Sequence, residues 1–256
     1  MSVETCAAIV ERGDPDRFLS TMAAPRRARE VLFPLYAFNV EVARVPWASK
    51  EPMICQMRLQ WWRELLDEIA TGRPVRAHEI AAPLAAVIRG RNLPVAPLDA
   101  LVVARDWDIH ADPFEDDAHL DRYLEDTAGG LMWTTAMALN VPAEWERAIR
   151  DAGWAAGLAA FLRAVPELAA RGRRPLRDTR PDAVGALIRK GLIRLARAQE
   201  SGIPRAAHPA LRSAWRACAT LRRAAADPSD VLAGRLGESD FARRAGLLRR
   251  ALFGGW

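Results

Sequence analysis

The chain has 256 residues, half of them hydrophobic, with 37 basic and 32 acidic side chains and a mean hydropathy of −0.10. This composition excludes a disordered or collagen-like chain, and the absence of a long apolar run argues against a membrane-spanning helix. Cys6, Cys55 and Cys218 are odd in number and far apart, which predicts neither a disulfide framework nor a zinc site.

Charge is distributed unevenly. Residues 171–256 hold 19 basic and 7 acidic side chains, a net of +12, whereas residues 1–170 hold 18 and 25, a net of −7. Such a basic half suits an anionic surface or an acidic partner, or else a solvated face. No nucleic-acid recognition motif accompanies it, so nucleic acid is not an expected partner. Only Lys50 and Lys190 are lysine, a bias we read as compositional. The segment from Met1 to Asp14 carries Glu4, Glu11 and Asp14 without a basic-then-apolar pattern, and a cytoplasmic location is the expectation.

Periodicity near 3.6 along the chain predicts an all-α fold, a single-domain bundle over residues 1–256. Helices are expected from about Arg26 to Val45, Glu51 to Thr71, Ala77 to Arg89, Leu98 to His110 and Ala118 to Leu139. Further helices are expected from Ala143 to Ala170, Asp182 to Glu200, Pro209 to Ala226 and Ser239 to Phe253. In the second of these, Met57, Trp61, Leu65 and Ile69 recur at four-residue spacing and predict one apolar stripe. The connections are short and rich in Pro and Gly, as in a compact bundle. The irregular exception, residues 171–181, is expected to be a mobile loop whose Arg171, Arg173, Arg174, Arg177 and Arg180 form the strongest positive patch.

Several motifs follow one another in a telling order: Leu35-Tyr36-Ala37-Phe38, then Arg58 with Trp61-Trp62-Arg63, then Gly72-Arg73-Pro74. Tyr123 with Ala128-Gly129, Leu162-Arg163 and Gly172-Arg173 continue the series. In this order and spacing the chain resembles the squalene/phytoene synthase family, most clearly over residues 14–200, with a basic helical part over 201–256. The resemblance implies an isoprenoid-synthase-like bundle around a central cavity. Tyr36, Phe38, Arg58, Trp61, Trp62, Tyr123, Trp133 and Arg163 are then the candidate cavity or ligand residues. The helices carrying Tyr36 and Arg163 are expected to face each other across that cavity, with Trp61, Trp62 and Trp133 among its walls.

In that family, aspartate pairs on two facing helices hold Mg²⁺ against a diphosphate, whose departure requires its developing charge to be neutralised. The matching positions here are Ala43, Arg44 and Trp47 in the first motif and Ala164 and Leu168 in the second, where Gly157 and Ala160 replace the usual preceding polar residues. Both metal sites are therefore expected to be dismantled: no catalytic residue, no metal and no cofactor, with Mg²⁺ relevant only to a catalytic reading. Glu41 and Glu167 are the nearest carboxylates left. An acidic cluster, Asp106 to Asp126 with His110 and His119, offers Asp108/Asp112 and Asp117/Asp121 at helical spacing, which suits a cation or, more commonly, capping by Asp116 or Asp117.

The pattern most resembles the branch of the family that lacks the Asp-rich motifs and includes the synthase-like assembly factors of respiratory complex I. That resemblance implies a non-catalytic scaffold peripheral to the inner face of the cytoplasmic membrane, its partner a membrane surface or membrane-bound complex. Two other readings stay open: a head-to-head prenyl-diphosphate synthase with unconventional ligands, and an isoprenoid- or lipid-binding protein without chemistry.

Overall fold

Every residue from Val31 to Val40 is buried in the helix α3 (Arg26–Arg44), a pattern that only a helix enclosed on all sides can satisfy. The computed structural model describes residues 2–253 and 255–256, and among the described residues there is no β-strand. Two helices the periodicity did not predict precede α3. The first, α1 (Val3–Gly13), packs along it, and Gly13 lies so near Val40 that a β-carbon there would sit 2.3 Å from a Val40 methyl. The second, α2 (Pro15–Met22), starts where the Asp14 carboxylate accepts the Arg17 N–H at 2.9 Å and Pro15 occupies the first turn.

Three helices follow: α4 (Pro52–Ala70), α5 (Ala81–Gly90), which packs against α3, and α6 (Ala96–Ala104), with α4 packed on both α5 and α6. In α4 the buried face runs through Cys55, Leu59, Trp62, Leu66 and Ile69. Met57 falls on the opposite side and is 67% exposed, which corrects the expected stripe through it. The reason is angular: two residues from both Cys55 and Leu59 is about half a turn away.

The predicted helix from Ala118 to Leu139 is three pieces: α7 (Asp117–Leu124), a wide π turn at Glu125–Gly129, and α8 (Gly130–Ala138). The longest helix, α9 (Glu146–Ala170), packs against α10 (Pro181–Glu200), α8 and the π turn. Its Gly153 admits that turn, since a β-carbon there would meet the Ala128 carbonyl oxygen at 2.7 Å. Four further helices close the bundle: α11 (His208–Leu211), α12 (Ala217–Ala226), α13 (Ser229–Leu232) and α14 (Asp240–Phe253). The predicted continuous helix over Pro209–Ala226 is interrupted by a 3₁₀ turn at Arg212–Ala214, and the one over Leu98–His110 stops at Ala104 before a 3₁₀ turn at Trp107–Ile109. Ala77 likewise lies outside α5.

Candidate functional site

The cavity between α3 and α9 measures about 490 Å³, and the five substituted motif positions Ala43, Arg44, Trp47, Ala164 and Leu168 all line it. Gly157 and Ala160 lie on the same wall. Helical spacing explains the convergence, because positions three or four apart share a face. What the facing positions present is methyl, isobutyl, indole and guanidinium. None supplies an oxygen ligand, so they do not fit the hard-cation site of the family resemblance.

The carboxylates Asp14 and Asp108 line the cavity, and both are engaged: Asp14 caps α2 and pairs with Arg17 at 2.8 Å, and Asp108 pairs with Arg105 at 2.9 Å. Glu41 and Glu167, the nearest carboxylates in sequence to the motif positions, do not line it and are held by neighbouring arginines. Glu41 accepts from Arg44 at 2.9 Å, and Glu167 pairs with Arg171 at 2.5 Å. Among the described residues no group of three His, Cys, Asp or Glu side chains converges as a metal set. In the acidic cluster, Asp108 turns inward, Asp121 pairs with Lys190, and Asp116 caps α7 by accepting the His119 N–H at 2.6 Å. The spacing of the cluster serves capping and ion pairing.

Tyr123 also lines the cavity, held by a polar triad that sequence spacing does not reveal. Arg105 donates to Asp108 at 2.9 Å and to the Tyr123 hydroxyl at 2.7 Å, while that hydroxyl donates to Asp108 at 3.0 Å. Burial foremost, and the neighbouring Asp108 carboxylate, push the Tyr123 phenol well above its ordinary range. For Arg105, burial works to lower the pKa, but Tyr123 and Asp108 outweigh it and keep the guanidinium charged. With Arg17 and Arg44, it shares the polar part of the cavity wall with Asp14, Asp108, Asn39 and Thr127.

Tyr36 and Arg163 line a smaller recess of about 90 Å³ that shares Asp14, Arg17, Ala128, Leu131, Gly157 and Ala160 with the main cavity. Their two helices do face each other as expected. Burial, with Arg216 beside it, lowers the Arg163 pKa, and Asp16 at 3.7 Å partly offsets this.

Trp61, Trp62 and Trp133 do not line the central cavity, contrary to expectation. Trp61, Trp62 and Arg58 border a separate outer cleft of about 370 Å³, with His78 and the far sides of Arg44 and Trp47. The cause is the placement of α4, which packs on the outer side of α3: Trp62 meets Phe38 edge-on at 5.6 Å, burying the Phe38 ring in the core. Trp133 is likewise core.

The arginine-rich segment is tied to this site. At Gly172 the backbone turns left-handed, with φ of 79°, and the Arg173 N–H reaches the Leu168 carbonyl at 3.0 Å, ending α9 in a reversal that glycine favours. Arg171 and Arg173 then lie 4.7 and 4.4 Å from the centroid of the Trp47 ring, and Arg173 donates to the carbonyls of Asp108 and His110. Arg180 pairs with Asp178, and Arg174 and Arg177 are exposed, making no close ion pair among the described residues. Arg180 foremost holds the Asp178 carboxyl down to about 2.

Residues 10–177, most of the chain, match the family profile described as squalene/phytoene synthase. The chain belongs to the squalene/phytoene synthase family. Among curated relatives, it is 33% identical over 177 residues to "NADH dehydrogenase (ubiquinone) complex I, assembly factor 6 homolog" of Drosophila melanogaster, covering 66% of this chain and 52% of that protein. It is 27% identical over 169 residues to the Bos taurus assembly factor 6, covering 66% and 50%. The chain thus spans about half the length of the curated relatives it matches. Among solved structures, a dehydrosqualene synthase in complex with ligand superposes with a TM-score of 0.76 at 16% identity, covering 98% of this chain and 95% of that one. A squalene synthase from Alicyclobacillus acidocaldarius gives 0.63 at 17% identity, covering 98% and 94%. These structures show that the bundle has the fold of squalene/phytoene synthase family enzymes.

Proposed function

We propose that this family member performs no prenyl transfer and serves instead as a non-catalytic, metal-independent scaffold in the assembly of a membrane-bound respiratory complex. The observation that carries the reading is what the motif positions present to the cavity: five side chains without an oxygen ligand, while the carboxylates that do line it, Asp14 and Asp108, are taken up by the cap of α2 with Arg17 and by Arg105 with Tyr123. A departing diphosphate needs concentrated positive charge against the negative charge that develops on it, which magnesium held by carboxylates supplies and guanidinium groups already paired within the chain supply poorly. The names of the curated relatives support the assembly role. The place of action we assign is the inner face of the cytoplasmic membrane, against the complex or the lipid around it. Among the described residues no helix is long and apolar enough to cross a membrane.

Two measurements test this. Removing the gene from its host should deplete the assembled NADH dehydrogenase complex on a native gel, and a copy carrying Glu41→Ala and Glu167→Ala should restore it. Incubating the purified chain with farnesyl or geranylgeranyl diphosphate and Mg²⁺ should yield no condensed hydrocarbon. Condensed product lost in the same double variant would instead establish the synthase reading. The cavity itself favours one additional role, retention of an isoprenoid or lipid ligand without turnover, because its apolar wall persists, with Arg17, Arg44 and Arg105 along it, although the family's metal ligands do not.

A further inference from the structure

The helix α14 sits on the body of the protein the wrong way round for an aqueous surface. Its inward face is polar: Arg243 donates to Asp16 at 3.2 Å and pairs with Asp240 at 2.9 Å, while Arg250 donates to the Trp256 carbonyl at 3.1 Å. Leu247 is its buried apolar side chain. The outward face carries Phe241, Leu248 and Leu252, which are 84%, 59% and 70% exposed, with Phe253 beside them at 84%. Positions 241, 245, 248 and 252 follow the spacing of a single helical stripe, so these side chains form one apolar strip. Exposed Arg244 and Arg249 flank it.

We propose that this outward face of α14 is a docking element for an anionic lipid surface, lying in the plane of the interface with its apolar strip among the acyl chains and Arg244 and Arg249 at the headgroups. The flanking charges decide between the occupants such a strip can take. The only acid in the helix, Asp240, is paired with Arg243, so the outer face is purely cationic around its apolar centre. A second copy docking there would bring arginines against arginines, whereas a lipid surface solvates the apolar strip and neutralises both cations. The helix also lies in the half of the chain with a net charge of +12, which favours approach to a negative surface. The arginine segment near Trp47 suits this role less well, because Arg171, Arg173 and Arg180 are engaged within the chain. This surface is separate from the central cavity and deepens the membrane-face placement proposed above, while vesicle binding tests it apart from the assembly role.

The test is co-sedimentation of the full chain with vesicles of phosphatidylcholine alone and of an equimolar mixture with phosphatidylglycerol, in rising salt. Binding is expected to the mixed vesicles only, weakened by salt. It should fall at least about tenfold in the Phe241→Ser, Leu248→Ser, Leu252→Ser triple variant. Arg244→Gln with Arg249→Gln should weaken it and flatten the salt dependence, while Arg174→Gln with Arg177→Gln should leave it intact. An unchanged melting temperature shows that the exposed substitutions leave the fold in place. Equal sedimentation of wild type and triple variant would overturn the proposal. So would a dimer in light scattering that the triple variant alone dissolves, or a loss in the Arg174/Arg177 variant equal to that in the triple one.

Discussion

Arg173 rests its guanidinium 4.4 Å from the centroid of the Trp47 ring, joining the segment that follows α9 to the turn that follows α3. Trp47 lines the cavity, at a position where the family resemblance places a magnesium ligand. An aromatic ring held between cations has thus taken the place of a carboxylate held by a metal.

That contact has a measurable strength. Partly exposed cation–π pairs are worth about 0.5–1 kcal/mol, and Arg173 adds hydrogen bonds to two carbonyls. In urea unfolding, Arg173→Gln and Trp47→Leu are each expected to destabilise by about 1 kcal/mol. The double variant should lose less than the sum, by about 0.5 kcal/mol or more. Strict additivity would show that the ring and the guanidinium do not interact.

Restoring the carboxylates should restore cation affinity, because the backbone still brings the positions together. In the Ala43→Asp, Trp47→Asp, Ala164→Asp, Leu168→Asp variant, Mg²⁺ is expected to raise the melting temperature in a saturable way, and in wild type to leave it unchanged. Calorimetric titration checks this. A wild-type response equal to that of the variant would place a cation site elsewhere in the chain.

Asp151 is the buried anion that ties α9 to α10. It is 1% exposed and pairs with Arg197 at 2.6 Å, Arg194 at 3.5 Å and Arg147 at 3.6 Å. Removing the carboxylate leaves partly buried guanidinium groups without their counter-ion, and Asp151→Asn is expected to cost about 2–4 kcal/mol. Arg147→Ala, at the most exposed of the three partners, should cost under about 1 kcal/mol. Equilibrium denaturation of both variants compares these directly.

Cys6 gives a pH dependence with a definite sign. Burial pushes its thiol up from 9.0 to about 12, so the folded state favours the neutral form. Its contribution is complete below pH 9 and declines between pH 9 and about 12, as unfolding releases a proton. The difference in stability between wild type and Cys6→Ala should therefore shrink with rising pH, by at most about 1.4 kcal/mol per unit. Under native conditions a thiol reagent should label half-buried Cys218 first, with buried Cys6 and Cys55 reacting only on unfolding.

Local pattern was enough to specify most helices of this protein, because an amphipathic period is written residue by residue along the chain. The family resemblance identified the motif positions whose carboxylates are missing, since identity at a position needs no third dimension. Local pattern did not separate α1 and α2 from loop, although Asp14-Pro15 carries a cap and a first-turn proline that mark the start of α2. The π turn at Glu125–Gly129 was hidden because it is imposed by close packing against Gly153, a contact between residues distant in sequence. The same limit explains the tryptophans. The family resemblance placed Trp61 and Trp62 at the central cavity, but only the side of α3 on which α4 packs decides that they face the outer cleft. The triad of Arg105, Asp108 and Tyr123, the seat of Arg173 on Trp47 and the inverted setting of α14 were likewise decided by tertiary structure. Each depends on which side chain a helix turns toward a distant neighbour, and burial and ion pairing between remote segments fix that rotation where periodicity alone leaves it free.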